Sequence, residues 1–318
     1  MSPKDLQARF LGLPSAVVGA GWMIVAACLL GVLSVLVRHV AQELHPFEIA
    51  FFRNVAQLIL MLPWLVVAGL SVVRTHRNWA HMRRSLFGIC AMLTWFSVLT
   101  MLPIAEATAI TFAAPLFTTA GAALLMGEKV GVRRWSATMF GFIGVLLIIR
   151  PGFQEVGLGH GLALLAAVLI AAAMLTNKSL ARTEHPNAMV LWMGIYMTAF
   201  SIMPAASVWT WPTVDAWPWL AAIGLVATAA HLALNHSFSV ADASFVAPFG
   251  FTQIPFIAVL GYAVYGEVPD LWTWAGAAVI VASGIYIARR EAKVSKAVAA
   301  PPAPEVVSVA REGTGPKG

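Results

Sequence analysis

Leu102-Pro103-Ile104-Ala105-Glu106-Ala107-Thr108, followed by Pro115 and then Gly127-Glu128, decides how this chain is read, because the pattern returns in altered form. The second copy runs Ser239-Val240-Ala241-Asp242-Ala243-Ser244, then Pro255, then Gly266-Glu267. Glu106 and Asp242 lie 136 positions apart, and Glu128 and Glu267 lie 139 apart. Two further echoes have an offset of 140: Arg38 with Lys178, and His45-Pro46 with His185-Pro186. A period that long divides the chain into two halves.

Composition says what the halves are made of. The chain has 318 residues, of which 60% are hydrophobic and only 11% charged, against roughly 25% charged in a soluble protein. A helix needs about 20 apolar residues to cross ~30 Å of hydrocarbon, and such runs recur here between short polar breaks. The expected fold class is all-α, a polytopic membrane protein with ten transmembrane helices. Their expected extents are 16–38, 47–69, 85–102, 105–126, 135–150, 160–181, 188–210, 217–236, 242–265 and 270–288. The first run is longer than the core of a signal peptide and is read as a retained span.

Five spans per half is an odd number, so the halves enter the bilayer with opposite orientation, as inverted repeats. The expected organisation is a cytoplasmic N-terminus (1–15), a first five-helix repeat (16–151), a second (159–290) and a disordered cytoplasmic tail (291–318). With the N-terminus inside, seventeen Lys and Arg fall on the inner side; Arg38, Arg53 and Arg150 alone fall toward the outer side. Basic loops stay cytoplasmic, so the expected location is a bacterial-type inner membrane with both termini in the cytoplasm. The net charge of +6 and pI near 9.7 therefore orient the chain rather than bind nucleic acid.

Ten helices in two five-helix repeats, with Leu102 to Thr108, Pro115, Gly127-Glu128 and a fifth span carrying Gly141 and Gly144, resemble the EamA type of the drug/metabolite transporter superfamily. The resemblance spans about residues 16–290, and the second repeat departs from it mildly, with Asp242 for Glu106 and Ser244 for Thr108. It implies a secondary carrier that moves a small metabolite by alternating access. It leaves substrate open between export of an amino-acid-like metabolite and import of a cofactor precursor such as riboflavin or S-adenosylmethionine. The rival from another class is a membrane-embedded enzyme acting on a lipid or headgroup, against which stands the lack of any paired-carboxylate, nucleophile–base or metal-ligand pattern.

Several residues are candidates for contact with a solute. Arg53, Asn54 and Gln57 interrupt an apolar second span, with Arg53 and Gln57 one turn apart on one face. Arg53 either snorkels to headgroups or stands in a cavity as a cation for a carboxylate or phosphate. His231 and Asn235 share a face of span eight, and with Gln253 they either line a cavity or join helices. Trp95 and Trp192 lie deep enough to stack on a planar solute or to pack in the core. Pro115, Pro248 and Pro255 remove helical hydrogen bonds at positions where transporters break their helices, and Thr111 and its neighbouring hydroxyls either share that site or satisfy backbone groups.

His231 and His236 are five residues apart, about 140° around a helix, so no metal pair is expected, and no cofactor is called for. Glu106 and Asp242 read as helix-terminal acids favoured by the dipole. The Gly141/Gly144 and Gly276 stripes allow close packing, either between repeats or in a homodimer.

Overall fold

A computed structural model of the chain describes residues 15–69, 74–126, 132–150, 156–180, 184, 186–241 and 246–299. The N-terminal segment, the end of the tail from residue 300, Glu128, His185 and the 242–245 stretch lie outside them. Ten helical units follow one another: α1 (Ser15–Val40), α2 (Pro46–Ala68), α3 (Asn78–Val98), α4a (Ile104–Thr111) with α4b (Ala114–Met126), and α5 (Val132–Ile149). The second repeat supplies α6 (Leu158–Leu180), α7 (Pro186–Ser207), α8 (Ala216–Val240), α9a (Ala247–Thr252, a 3₁₀ turn) with α9b (Gln253–Tyr265), and α10 (Leu271–Ala299).

Five of these, α1, α2, α6, α7 and α8, are long and apolar enough to cross a bilayer by themselves. Large side chains such as Val66, Leu124, Met203 and Val259 stay exposed on the outside of the bundle, a surface that suits lipid rather than water. Two boundaries differ most from the hydropathy reading. α3 starts at Asn78 rather than 85, because Arg83 and Arg84 depress hydropathy without preventing a helix. α10 runs to Ala299, beyond the expected end at 288, since a segment rich in Ala, Lys and Arg forms helix well.

The two repeats do not sit side by side. Helix α1 packs chiefly on α8, and its repeat mate α6 packs on α3; α2 meets α7, α4 meets α9, and α5 meets α10. Each repeat therefore completes its burial on the other. One core gathers Leu33, Ile49, Phe96, Ile223 and Ile257, and the second gathers Ile110, Leu116, Ile148, Ile254 and Ile280. Where α5 crosses α10 the backbones touch: a Cβ at Gly144 would come within 2.8 Å of the Gly276 carbonyl, and one at Gly276 within 2.5 Å of the Gly144 carbonyl. The small-residue stripes are thus used inside one chain.

Polar corners at each end of the bundle repeat as well. Thr213 Oγ1 donates to Glu43 Oε2 at 3.0 Å at one end, and Thr75 Oγ1 donates to Glu184 Oε1 at 2.8 Å at the other. Both bonds tie the turn after the first helix of one repeat to the turn after the second helix of the other. At the Glu43 end Glu48 also accepts from Thr210 N at 2.7 Å, and with His45 it forms a capping box at the start of α2.

The heaviest of these braces centres on Glu267. Gly266, at φ 68°, turns the chain back after α9b, a conformation open to glycine. That turn aims Glu267 at the first repeat. Its Oε1 pairs with Arg38 Nη1 at 2.5 Å, and its Oε2 accepts from Ile104 N at 2.9 Å, capping α4a. Arg38 in turn covers the Tyr265 ring at 4.7 Å. Beside it, Glu106 meets His160 Nε2 at 3.0 Å, and Arg150 pairs with Asp270. Burial pushes the Asp270 carboxyl up, but hydrogen bonds from Thr273 and the Arg150 charge outweigh it and hold it below the ordinary range.

Three outcomes follow from this packing. Gly144→Ala is expected to cost about 1–3 kcal/mol by overpacking and to lower the unfolding midpoint in detergent. Gly21→Ala, which meets nothing within 4 Å, should not lower it. Glu267→Ala strips the partner from Arg38 and the cap from α4a together, and should cost at least the ~1 kcal/mol of a lost cap in the same melt. The Asp270 contact is fully present above the ordinary carboxylate pKa of about 3.9 and is lost as pH falls below it. Wild type should therefore lose more of its midpoint between pH 5 and pH 3 than Asp270→Asn does.

Candidate functional site

The middle of the bundle is where the helices stop being regular. Pro115 has no N–H, and its ring would crowd the Thr111 carbonyl in a continuous helix; α4 accordingly breaks over Phe112 and Ala113. Pro255 has the same effect on the carbonyl of Phe251, and α9 is a 3₁₀ turn over Ala247–Thr252, with Pro248 at its start. Phe112 and Phe251 are repeat mates, 139 positions apart, and their rings meet at 5.1 Å. Both breaks thus face each other across the pseudo-two-fold axis.

Hydroxyls beside the breaks are committed to the backbone. Thr108 donates to Ile104 O at 2.7 Å, Thr111 to Thr108 O at 2.8 Å, and Thr119 to Pro115 O at 3.0 Å. They add a second donor to carbonyls of the flanking helical turns, of which Thr108 O also accepts from Phe112 N at 3.1 Å. Toward the Glu267 brace the breaks are followed by a cavity of about 240 Å³, lined among others by Pro103, Glu106, Arg150, Gly261 and Glu267.

A second polar region lies among α2, α3, α7 and α8. Arg53 is only 3% exposed, which excludes snorkelling to headgroups. Its Nη1 donates to Asn54 Oδ1 at 2.9 Å, and Asn54 Nδ2 donates to Met197 O on α7 at 3.4 Å. Arg53 Nε and both atoms of the Gln57 amide are buried without a hydrogen-bond partner. From α3, Arg84 Nη1 donates to Met189 O at 2.9 Å. His231 is half-buried on α8, which packs against α2.

Aromatic rings flank this region on α7. Trp192 stacks on Tyr196 at 5.5 Å, Tyr196 continues to Phe200 at 6.1 Å, and His81 of α3 lies 6.0 Å from Trp192. Spacing of four residues places these rings on one helix face. Trp95, by contrast, packs between the two cores.

The structure joins Arg53 to Asn54 by a hydrogen bond, with Gln57 one turn along α2, and places His231 and Asn235 one turn apart on α8, which packs on α2. Gln253 begins α9b, whose main neighbours are α1 and α4, so no extended helix contact joins it to His231 and Asn235. His236 points elsewhere, edge-on to Trp22 at 5.0 Å, and among the described residues no cluster of three His, Cys, Asp or Glu could hold a metal. Sequence reasoning missed Arg84 and His81, which it counted with the loop before α3. The signal was present: a second arginine lies one turn inside a helix that carries no acid.

Comparison with known proteins accords with this architecture. The EamA-like transporter family matches the chain twice, over residues 17–150 and 157–289. A riboflavin transporter of Rhizobium johnstonii is 31% identical, with 91% of this chain and 97% of that protein covered. An S-adenosylmethionine uptake transporter of Rickettsia bellii is 29% identical over 87% of this chain and 95% of its own length. A pseudopaline exporter, CntI, of Pseudomonas aeruginosa is 26% identical over 84% and 94%. One solved crystal structure, 20% identical, superposes with a TM-score of 0.58 over 87% of this chain and 98% of its own, which shows a shared fold. With both of its halves matched, the chain belongs to the EamA-like transporter family.

Proposed function

We propose that this protein is an alternating-access carrier of a bacterial inner membrane, with both termini in the cytoplasm. Its cargo is a water-soluble metabolite of the size of riboflavin or S-adenosylmethionine, taken up into the cell. The observation that carries the mechanism is the meeting of two broken helices at Phe112 and Phe251, each at the same point of an inverted repeat. Two halves that interdigitate and mirror each other can exchange conformations, so that whatever closes one end in one state closes the other end in the next. The Glu267 brace is what closes one end here; on the basic-loop argument that end faces outward. The direction of uptake rests on relatives named for riboflavin and S-adenosylmethionine, and export is the second reading, supported by the pseudopaline exporter.

Proteoliposomes loaded with buffer should accumulate radiolabelled riboflavin or S-adenosylmethionine above protein-free vesicles, and the same protein should release neither product of a lipid-modifying reaction. Absence of flux for both, with turnover of a phospholipid headgroup, would establish the enzyme reading instead. Orientation is checked separately by single cysteines at His76 and Gly157, both exposed. A membrane-impermeant maleimide should label position 157 in whole cells and position 76 in inverted vesicles.

A further inference from the structure

We propose that the polar region among α2, α3, α7 and α8 is an anion subsite, which holds a carboxylate or phosphate carried by the transported solute. Arg53 is its principal partner, Arg84 the second cation and Gln57 a neutral donor. The inference rests on the carrier reading above and narrows its cargo to solutes with an anionic group.

The argument is one of charge balance. A guanidinium withdrawn from water carries a penalty of several kcal/mol unless a counter-charge and hydrogen bonds offset it. Arg53 is 3% exposed, its Nη1 reaches only the neutral amide of Asn54, and its Nε has no partner. Among the described residues the helices around it supply no counter-charge. Helices α3, α7 and α8 contain no Asp or Glu. The one acid of α2, Glu48, is occupied by Thr210 and His45 at the end of the helix, and Glu184 by Thr75 and His81 at the opposite end. Among the described residues neither Arg53 nor Arg84 forms an ion pair.

Geometry then names the ligand. Arg84 approaches from α3 and Arg53 from α2, and both are tied to α7, Arg84 directly at Met189 O and Arg53 through Asn54 at Met197 O, which sets the subsite on the wall that α2 and α3 share with α7. Gln57, a turn below Arg53, is 1% exposed and offers an unpaired amide donor and acceptor to it. An ionisable side chain at membrane depth that faces the bundle interior marks a solute path, and a guanidinium with a free Nε matches the planar fork of a carboxylate or phosphate. Lipid headgroups are an unsuitable source, because so little of Arg53 is open to the outside of the bundle.

The test compares matched solutes that differ in charge: riboflavin against riboflavin 5′-phosphate, and S-adenosylhomocysteine methyl ester against S-adenosylhomocysteine. Half-saturating concentrations are read from the rise in unfolding midpoint of purified protein in neutral, phospholipid-free detergent. Wild type should bind the anionic member of at least one pair about tenfold more tightly, the scale of one charge-assisted hydrogen bond. Arg53→Gln should shrink the preference below about twofold, Arg53→Lys, which keeps the charge but loses the planar fork, should keep only part of it, and Gln57→Leu, which leaves both charges in place, should reduce it severalfold. Equal binding within both pairs by wild type, binding of neither pair, or a preference that survives Arg53→Gln and Gln57→Leu would overturn the subsite. A midpoint rise with phosphatidylglycerol vesicles equal to that with the anionic probes would assign the cations to lipid and overturn it too. Flux separates the two readings: solutes that cross proteoliposomes without charge preference leave the carrier standing and remove the subsite, whereas an anion preference in detergent with no flux does the reverse.

Discussion

Backbone amides and carbonyls left unpaired in hydrocarbon cost several kcal/mol each, and that penalty governs where this chain is allowed to be irregular. Helices α4 and α9 both lose regular bonding ahead of a proline, Pro115 and Pro255, and both do so inside the bundle rather than against lipid. Their repair is local. Short backbone bonds carry the chain through the first break, from Phe112 N to Thr108 O, Ala113 N to Ile110 O and Leu116 N to Ala113 O, and Phe112 and Phe251 close over each other. Without that pairing each break would expose polar backbone to an apolar neighbour; with it, the two weakest points of the helices become one shared point at the axis of the repeat.

The same economy of position explains the interdigitation. A repeat of five helices that buried itself alone would need no contact with its mate and could not transmit its state. Here α1 lies on α8 and α6 on α3, so a shift in either repeat displaces the partner's core. The Glu267 brace adds direction to this coupling. It ties the end of α9b to the end of α1 and the start of α4a, so the opening of that end requires three helices from two repeats to part at once. Such an all-or-none joint suits a two-state carrier better than a set of independent surface pairs, each worth little in water.

Much of this was legible in the sequence because it is set by period and hydropathy. The repeat offset of 136 to 140, the ten helices and the inverted sense follow from where apolar runs, prolines and basic loops fall. Glu106 was readable as a helix-terminal acid, and its partner His160 was not, because the pairing depends on how α6 leans on α4. Glu267 shows the limit more sharply: Gly266-Glu267 announces a helix end, yet nothing local says that the carboxylate crosses to Arg38 and Ile104 of the other repeat. Arg84 was missed for a different reason. Hydropathy places a boundary where charge begins, whereas a helix continues through charged residues as long as its backbone bonds are satisfied, and α3 does so for two further turns.

The remaining contrast is between a symmetric scaffold and an asymmetric centre. Thr75–Glu184 and Thr213–Glu43, Phe112 and Phe251, and Pro115 and Pro255 all have counterparts, and they hold or bend the frame. Arg53 has none, since the position 140 residues on is Met193, and His231 corresponds to Trp95. Exchange of conformation between the halves demands that the frame look alike from both sides of the membrane. Recognition of a solute that is itself unsymmetric demands the opposite at the point of contact. Arg53 and Gln57 break the repeat while sitting inside it, buried and incompletely hydrogen-bonded, and the proposed subsite draws its asymmetry from them rather than from the frame.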